Sequence, residues 1–169
     1  ARGDKTPTIT PADFFVDGLR DDVQYYRPLY NVEQVEILRG SNALLFGRGG
    51  GGGVINRVQK KPVIGENFGT VDLGADTFGA WTGTVDLNAD AGENVALRLN
   101  AYAQGLENHR DVYDGDSYAV NPTARFVLGE ATSAFLSYEY IDDDRVVDRG
   151  VPSQVVEGRP DRPLEGYDD

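Results

Sequence analysis

The stretch Trp81 to Gln104, "WTGTVDLNADAGENVALRLNAYAQ", changes character at every second residue. In its first half Trp81, Val85, Leu87 and Ala89 are apolar, while Thr82, Thr84, Asp86, Asn88 and Asp90 between them are polar. Past Ala91 to Asn94, Val95, Leu97, Leu99, Ala101 and Ala103 take one face and Arg98, Asn100 and Gln104 the other. A period of two is that of a β-strand, whose side chains point alternately to opposite faces. Two further runs keep the period on even positions: Tyr118, Val120, Ala124, Phe126 and Leu128, then Ala134, Leu136, Tyr138 and Tyr140. With "GTVDLGAD" (Gly69 to Asp76) they predict about five strands, several longer than the five or six residues usual in soluble sheets.

Two architectures produce this alternation. An antiparallel sheet with one face on a core and one in water is the first. The second is the wall of a transmembrane β-barrel, apolar outside and polar within, whose strands need about 9–11 residues. The connections favour the wall. "AGEN" (Ala91 to Asn94) and "GEAT" (Gly129 to Thr132) are tight turns at one end of the strands. At the other end lie "LENHRDVYDGDS" (Leu106 to Ser117) and a charged tail from Asp142. Short turns on one rim and long loops on the other are the layout of outer-membrane barrels. Asp86, Arg98 and Glu139 then face a wet interior.

Before residue 66 the text differs, with short apolar clusters between turn signals. "FFVDGL" (Phe14 to Leu19) reads as a strand entering an Asp17-Gly18 hairpin turn. Asn31 is placed to cap a helical turn over Val32 to Gln34, followed by a strand at Val35 to Leu38. Ser41 or Asn42 is placed to cap a second turn through Leu45, closed by Gly47. "VINRV" (Val54 to Val58) reads as an inner strand stopped at Lys60-Lys61-Pro62. The expectation is a small mixed α/β unit over residues 1–66 and a β-meander over residues 67–169. The absence of methionine and the polar "EGYDD" terminus suggest that both units are cut, the first at its N-terminus and the second at its C-terminus.

The whole chain bounds its chemistry. A net charge of -12 argues against a nucleic-acid partner, which requires a basic face to displace counterions. The absence of cysteine removes disulfides, thiolate metal sites and thiol nucleophiles together. No apolar run approaches the ~18 residues of a spanning helix, a test to which β-strands are invisible.

The motif search yields no enzyme. "GRGGGG" from Gly47 satisfies G-x-G-x-x-G, with Asp72 downstream where a ribose-binding acid would stand. A dinucleotide site needs a helix directly after its glycines, and here "VINRVQKKP" follows. His109 sits alone in a polar loop. Asp142-Asp143-Asp144 lacks the spaced ligands of a calcium loop and reads as a solvated acidic segment. No nucleophile has an identifiable base, and neither a metal site nor a cofactor is expected.

The segment Phe14 to Pro62 strongly resembles the plug domain of TonB-dependent outer-membrane receptors, in the siderophore-receptor branch. The pieces that carry the likeness are the Asp17-Gly18 hairpin, "VEQVEILRG", "LLFGRG", the glycine run and "GGVINRVQKKP", in that order and spacing. "GTVDLGADTFGAWTGTVDLNADAG" and "YEYIDDDRVVDRGVPS" look like the first barrel strands and an early surface loop of the same family. The resemblance implies an α+β plug followed by an antiparallel meander that is part of an incomplete transmembrane β-barrel. It implies TonB-dependent uptake of a ferric siderophore at the outer membrane, with the TonB energy-transducing complex and outer-membrane lipid as partners. Cobalamin, haem or carbohydrate are alternative cargoes within the family. A β-rich surface adhesion or binding module is the alternative outside it.

The same resemblance assigns residues. Tyr25, Tyr26 and Arg27 are expected at the plug apex, facing the ligand. Arg39, together with Arg48, is expected to lock plug to barrel wall, and Arg2 is a further candidate for that role. Gly49, Gly50, Gly51, Gly52 and Gly53 are read as a tight bend and soft point of a plug that must seal yet yield.

Overall fold

The structure is a computed structural model and describes residues 14–21, 26–39, 46, 53–109, 113–146, 153–156 and 159–163. Twelve strands are present among them, grouped in three sheets.

The first sheet has the order β2-β1-β4-β3 and contains β1 (Phe14–Val16), β2 (Leu19–Arg20), β3 (Val32–Leu38) and β4 (Val54–Gln59). Asp17 and Gly18 both have positive φ, 48° and 81°, the geometry that matches a two-residue turn to the twist of its strands. This hairpin is tied to β4: Gly18 N donates to Asn56 Oδ1 at 3.0 Å and Gln59 N donates to Asp17 Oδ1 at 3.0 Å. β4 is the inner strand the sequence predicts, parallel to β1 and antiparallel to β3. Phe15, buried, meets Phe46 edge-on at 5.0 Å, and buried Val54 lies on the same sheet.

The helical turn expected after Asn31 is absent. β3 runs from Val32, with an irregularity in its pairing to β4 between Val32 and Gln34. Asn31 instead turns its buried side chain outward from the sheet, donating to Glu139 Oε1 at 2.8 Å and Asn121 Oδ1 at 3.3 Å. A distant partner has replaced the local cap, the usual way tertiary contact overrides a weak propensity. The second expected turn, over 41–45, lies outside the described residues.

The second sheet is an antiparallel meander of β5 (Phe68–Ala75), β6 (Trp81–Asp90), β7 (Val95–Glu107), β8 (Asp114–Gly129), β9 (Thr132–Ser137) and β10 (Tyr140–Arg145). β9 and β10 both pair with β8, and Tyr138 N donates to Pro122 O at 3.1 Å between them. They therefore occupy one place in the wall, and the sheet is five strands wide as expected. β7 has 13 residues and β8 has 16, ample for a tilted crossing of a bilayer. Tight turns occur at 91–94 and 130–131. The predicted long loop over Leu106 to Ser117 is strand at both ends, Leu106 to Glu107 and Asp114 to Ser117, because ladder pairing continues to Glu107 and Asp114. Polar side chains there do not prevent pairing, since the backbone alone makes the ladder. The acidic tail also carries strands: Asp142 to Asp144 belong to β10, and β11 (Ser153–Val156) pairs with β12 (Arg159–Pro163).

Burial on this meander is the reverse of a soluble sheet. On β7 the buried side chains are those of Ala96, Arg98, Asn100 and Tyr102, and on β8 those of Ser117, Ala119, Asn121 and Thr123. Asn100 and Asn121 are both 0 % exposed, while Leu97 is 46 % and Leu136 66 % exposed on the opposite face. The polar face is covered by the first unit, and the apolar face is bare. Of the two architectures compatible with period two, this is the barrel wall around a plug.

Candidate functional site

Three polar clusters join plug to wall. In the first, Asp86 on β6 accepts both Arg98 Nε at 2.8 Å and Arg98 Nη2 at 2.7 Å, a bidentate pair set by their positions on adjacent strands. The plug enters through Lys60, whose Nζ lies 2.9 Å from Asp86 Oδ2 and donates to Tyr30 O at 3.0 Å. Arg98 Nη1 also donates to Lys61 O at 2.9 Å. The Lys-Lys-Pro that ends β4 is thus clamped from both sides. Just beyond it, Asn88 accepts from Val63 N at 3.0 Å and donates to Val63 O and Glu66 O at 2.9 and 2.7 Å, fixing the chain as it leaves the plug.

The second cluster centres on Glu139, which faces inward between β9 and β10. Its carboxylate accepts from Tyr30 Oη at 3.1 Å and Asn31 Nδ2 at 2.8 Å. Tyr30 stacks on Tyr102 of the wall, with ring centroids 5.6 Å apart. Burial, and then the neighbouring Glu139 carboxylate, push the Tyr30 phenol above its ordinary range, so it stays a neutral donor.

The third lies at the apex. Tyr26 is 55 % exposed, and the Arg145 guanidinium stands over its ring at 4.1 Å. Arg27, next in sequence, turns the other way and is half-buried: its Nε lies 2.5 Å from the buried carboxylate of Asp21, which also holds Arg57 at 2.7 Å.

Of the residues singled out by sequence, Tyr26, Arg27, Arg39 and Gly53 are described. Tyr25, Arg48, Gly49 to Gly52 and Arg2 lie outside the described residues. Arg39 is exposed at the end of β3. Gly53 has φ 127°, and an added Cβ would stand 2.7 Å from Leu38 O, so this member of the glycine run has no room for another residue. Asp86, Arg98 and Glu139 do face the interior as expected, in contact with the plug. Tyr30 and Arg145 were not singled out, while Asn31 and Lys60 were read only as a helix cap and a strand stop. The Lys-Lys pair before proline was a visible signal, whereas nothing local marks Arg145 within its acidic surroundings. His109 is exposed and meets Phe78 edge-on at 6.3 Å. No group of three or more metal-ligating side chains occurs among the described residues.

Residues 1–54 match the TonB-dependent receptor plug domain. The chain belongs to the TonB-dependent receptors. It is 32 % identical over 152 residues to the catecholate siderophore receptor Fiu of Escherichia coli K12, covering 88 % of this chain and 20 % of the relative. Against the probable TonB-dependent receptor BfrD of Bordetella pertussis it is 36 % identical over 156 residues, with the same coverage. The crystal structure of the siderophore receptor PiuA from Acinetobacter baumannii superposes with a TM-score of 0.78 at 29 % identity, over 86 % of this chain and 21 % of that one. The chain thus spans about a fifth of the curated relatives it matches. The outer membrane is the setting of this receptor family, and a plug against the opening strands of a barrel is the architecture seen here.

Proposed function

We propose that the protein of which this chain is a part carries a ferric siderophore across the outer membrane, powered by the TonB complex. Residues 1–66 form the plug and residues 67–169 the first barrel strands and a surface loop. The observation that carries the reading is the inverted wall, apolar outward for lipid and polar inward against a hydrogen-bonded plug. Relatives named as catecholate siderophore receptor and siderophore receptor support the cargo class. The receptor binds and translocates without covalent chemistry. Tyr25 and Tyr26 meet the ligand at the apex, and Arg27, held by Asp21, orients that segment. Arg39 and Arg48 belong to the plug's attachment to the barrel, and Gly49 to Gly53 to the bend that lets it yield.

The test is uptake of radioactive iron as a ferric tris-catecholate by cells whose only such receptor is the full-length protein. Uptake that disappears when TonB is deleted is the expected result. TonB-independent uptake, or none for any ferric chelate, overturns the reading.

A further inference from the structure

Arg145 holds an unusual position for a guanidinium on a wall this rich in acids. Its Nε donates to Asp143 Oδ1 at 2.6 Å and its face covers Tyr26, yet its Nη2 is buried without a hydrogen-bond partner. Gln104 Nε2, on the same inner face, is likewise buried and unpartnered. The register brings these groups together: Gln104 lies opposite Ser117, Ser117 opposite Asp143, and Arg145 follows two residues along. Tyr102, two residues before Gln104, also has a buried hydroxyl without a hydrogen-bond partner. Unsatisfied buried donors are costly and mark a place where an acceptor belongs.

A cavity of about 430 Å³ adjoins this patch, lined by Tyr26, Glu139, Ile141 and Asp143. Its two carboxylates are already engaged, Glu139 with the plug and Asp143 with Arg145. At this end of the inner face the groups left without partners, Arg145 Nη2, Gln104 Nε2 and the Tyr102 hydroxyl, can all donate. We infer that Arg145 is a specificity residue that exchanges partners, giving up the ring of Tyr26 to bind an anionic oxygen of the incoming ligand, with Gln104 completing the contact. This rests on the receptor reading above and extends it: the ligand is anionic and oxygen-rich, and its arrival lifts Tyr26, so that occupancy of the wall is transmitted to the plug.

The experiment measures binding of a trianionic ferric tris-catecholate to the full-length receptor in detergent, by equilibrium titration. Folding of each variant is checked by its faster electrophoretic migration when unboiled. Arg145→Gln is expected to weaken binding about tenfold, the scale of one lost charge-assisted contact, while Arg145→Lys stays within about threefold and loses its advantage over Gln as salt is raised. A folded Arg145→Gln that binds within about twofold of wild type overturns the inference and leaves the receptor reading intact. Should Arg145→Gln fail to fold, Gln104→Leu carries the test, with weakening of about threefold expected and unchanged affinity overturning it. Wild-type protein that binds no ferric chelate overturns both.

Discussion

Asp86 gathers two cations from different parts of the chain, Arg98 from the neighbouring strand and Lys60 from the end of the plug. Removing its charge leaves both without their acceptor in a largely buried place. Asp86→Asn is therefore expected to weaken plug docking by about 2–4 kcal/mol, seen as faster protease cleavage of the plug in the folded receptor. Tyr30 offers a gentler probe. Tyr30→Phe removes one hydrogen bond to Glu139 and should cost about 1 kcal/mol. The folded plug holds the Tyr30 proton more tightly than the unfolded chain, whose phenol has the ordinary value of 10.0. Its contribution is thus complete below about pH 10 and is lost as pH rises further. Wild type should lose stability between pH 9 and 11 more steeply than Tyr30→Phe, measured by thermal melting in detergent. At this scale sequence was an uneven guide. Asp86 and Arg98 stood out because charges at fixed positions in an apolar alternation demand a wet or paired environment. Asn31 misled, because an asparagine before a β-branched run suits a helix cap as well as a long-range amide contact.

For the strands, the alternation does most of the specifying. A shift of one residue in β7 would turn Arg98 and Asn100 outward and Leu97 and Leu99 onto the plug, so the register is fixed by both faces at once. The outward face carries the prediction. Leu99→Arg, opposite Leu87 and Pro122, should lower assembly into a bilayer by about 2–4 kcal/mol. Thr82→Lys, on the inward set of β6, should leave assembly unchanged. Folding yield in lipid vesicles, read by gel migration without boiling, distinguishes them. The strand ends were less legible than their middles. Charged, glycine-containing text around Asp114 to Asp116 looks like loop, yet the ladder persists there because β7 and β10 supply backbone partners on both sides.

Across the whole molecule, a short plug sheet fills the polar side of a wall that keeps its apolar side exposed. Leu73, Leu136 and Tyr138, at 83 %, 66 % and 63 % exposure, are on a surface suited to lipid rather than water. The edge of β5, unpaired among the described residues, adds a second reason for the segment to avoid dilute buffer. Expressed alone, residues 1–169 should sediment in buffer and enter solution only with detergent. Monodisperse monomer without detergent would remove the wall from the membrane and favour a soluble sheet.

Periodicity and turn chemistry are local properties of the chain, so the wall strands and their two faces, the Asp17-Gly18 hairpin, the inner strand at Val54 and the family were all legible in it. A period of two is indifferent to what covers each side; the layout of turns and loops and the family likeness pointed the polar face inward, but not to the groups that cover it. Those groups meet only on folding, which sets Tyr30, Asn31 and Lys60 against Glu139, Asn121 and Asp86. The same holds for Arg145 and Tyr26, more than a hundred residues apart in sequence. A contact between two strangers in the chain is created by the closing of the wall over the plug, and no window of local sequence contains it.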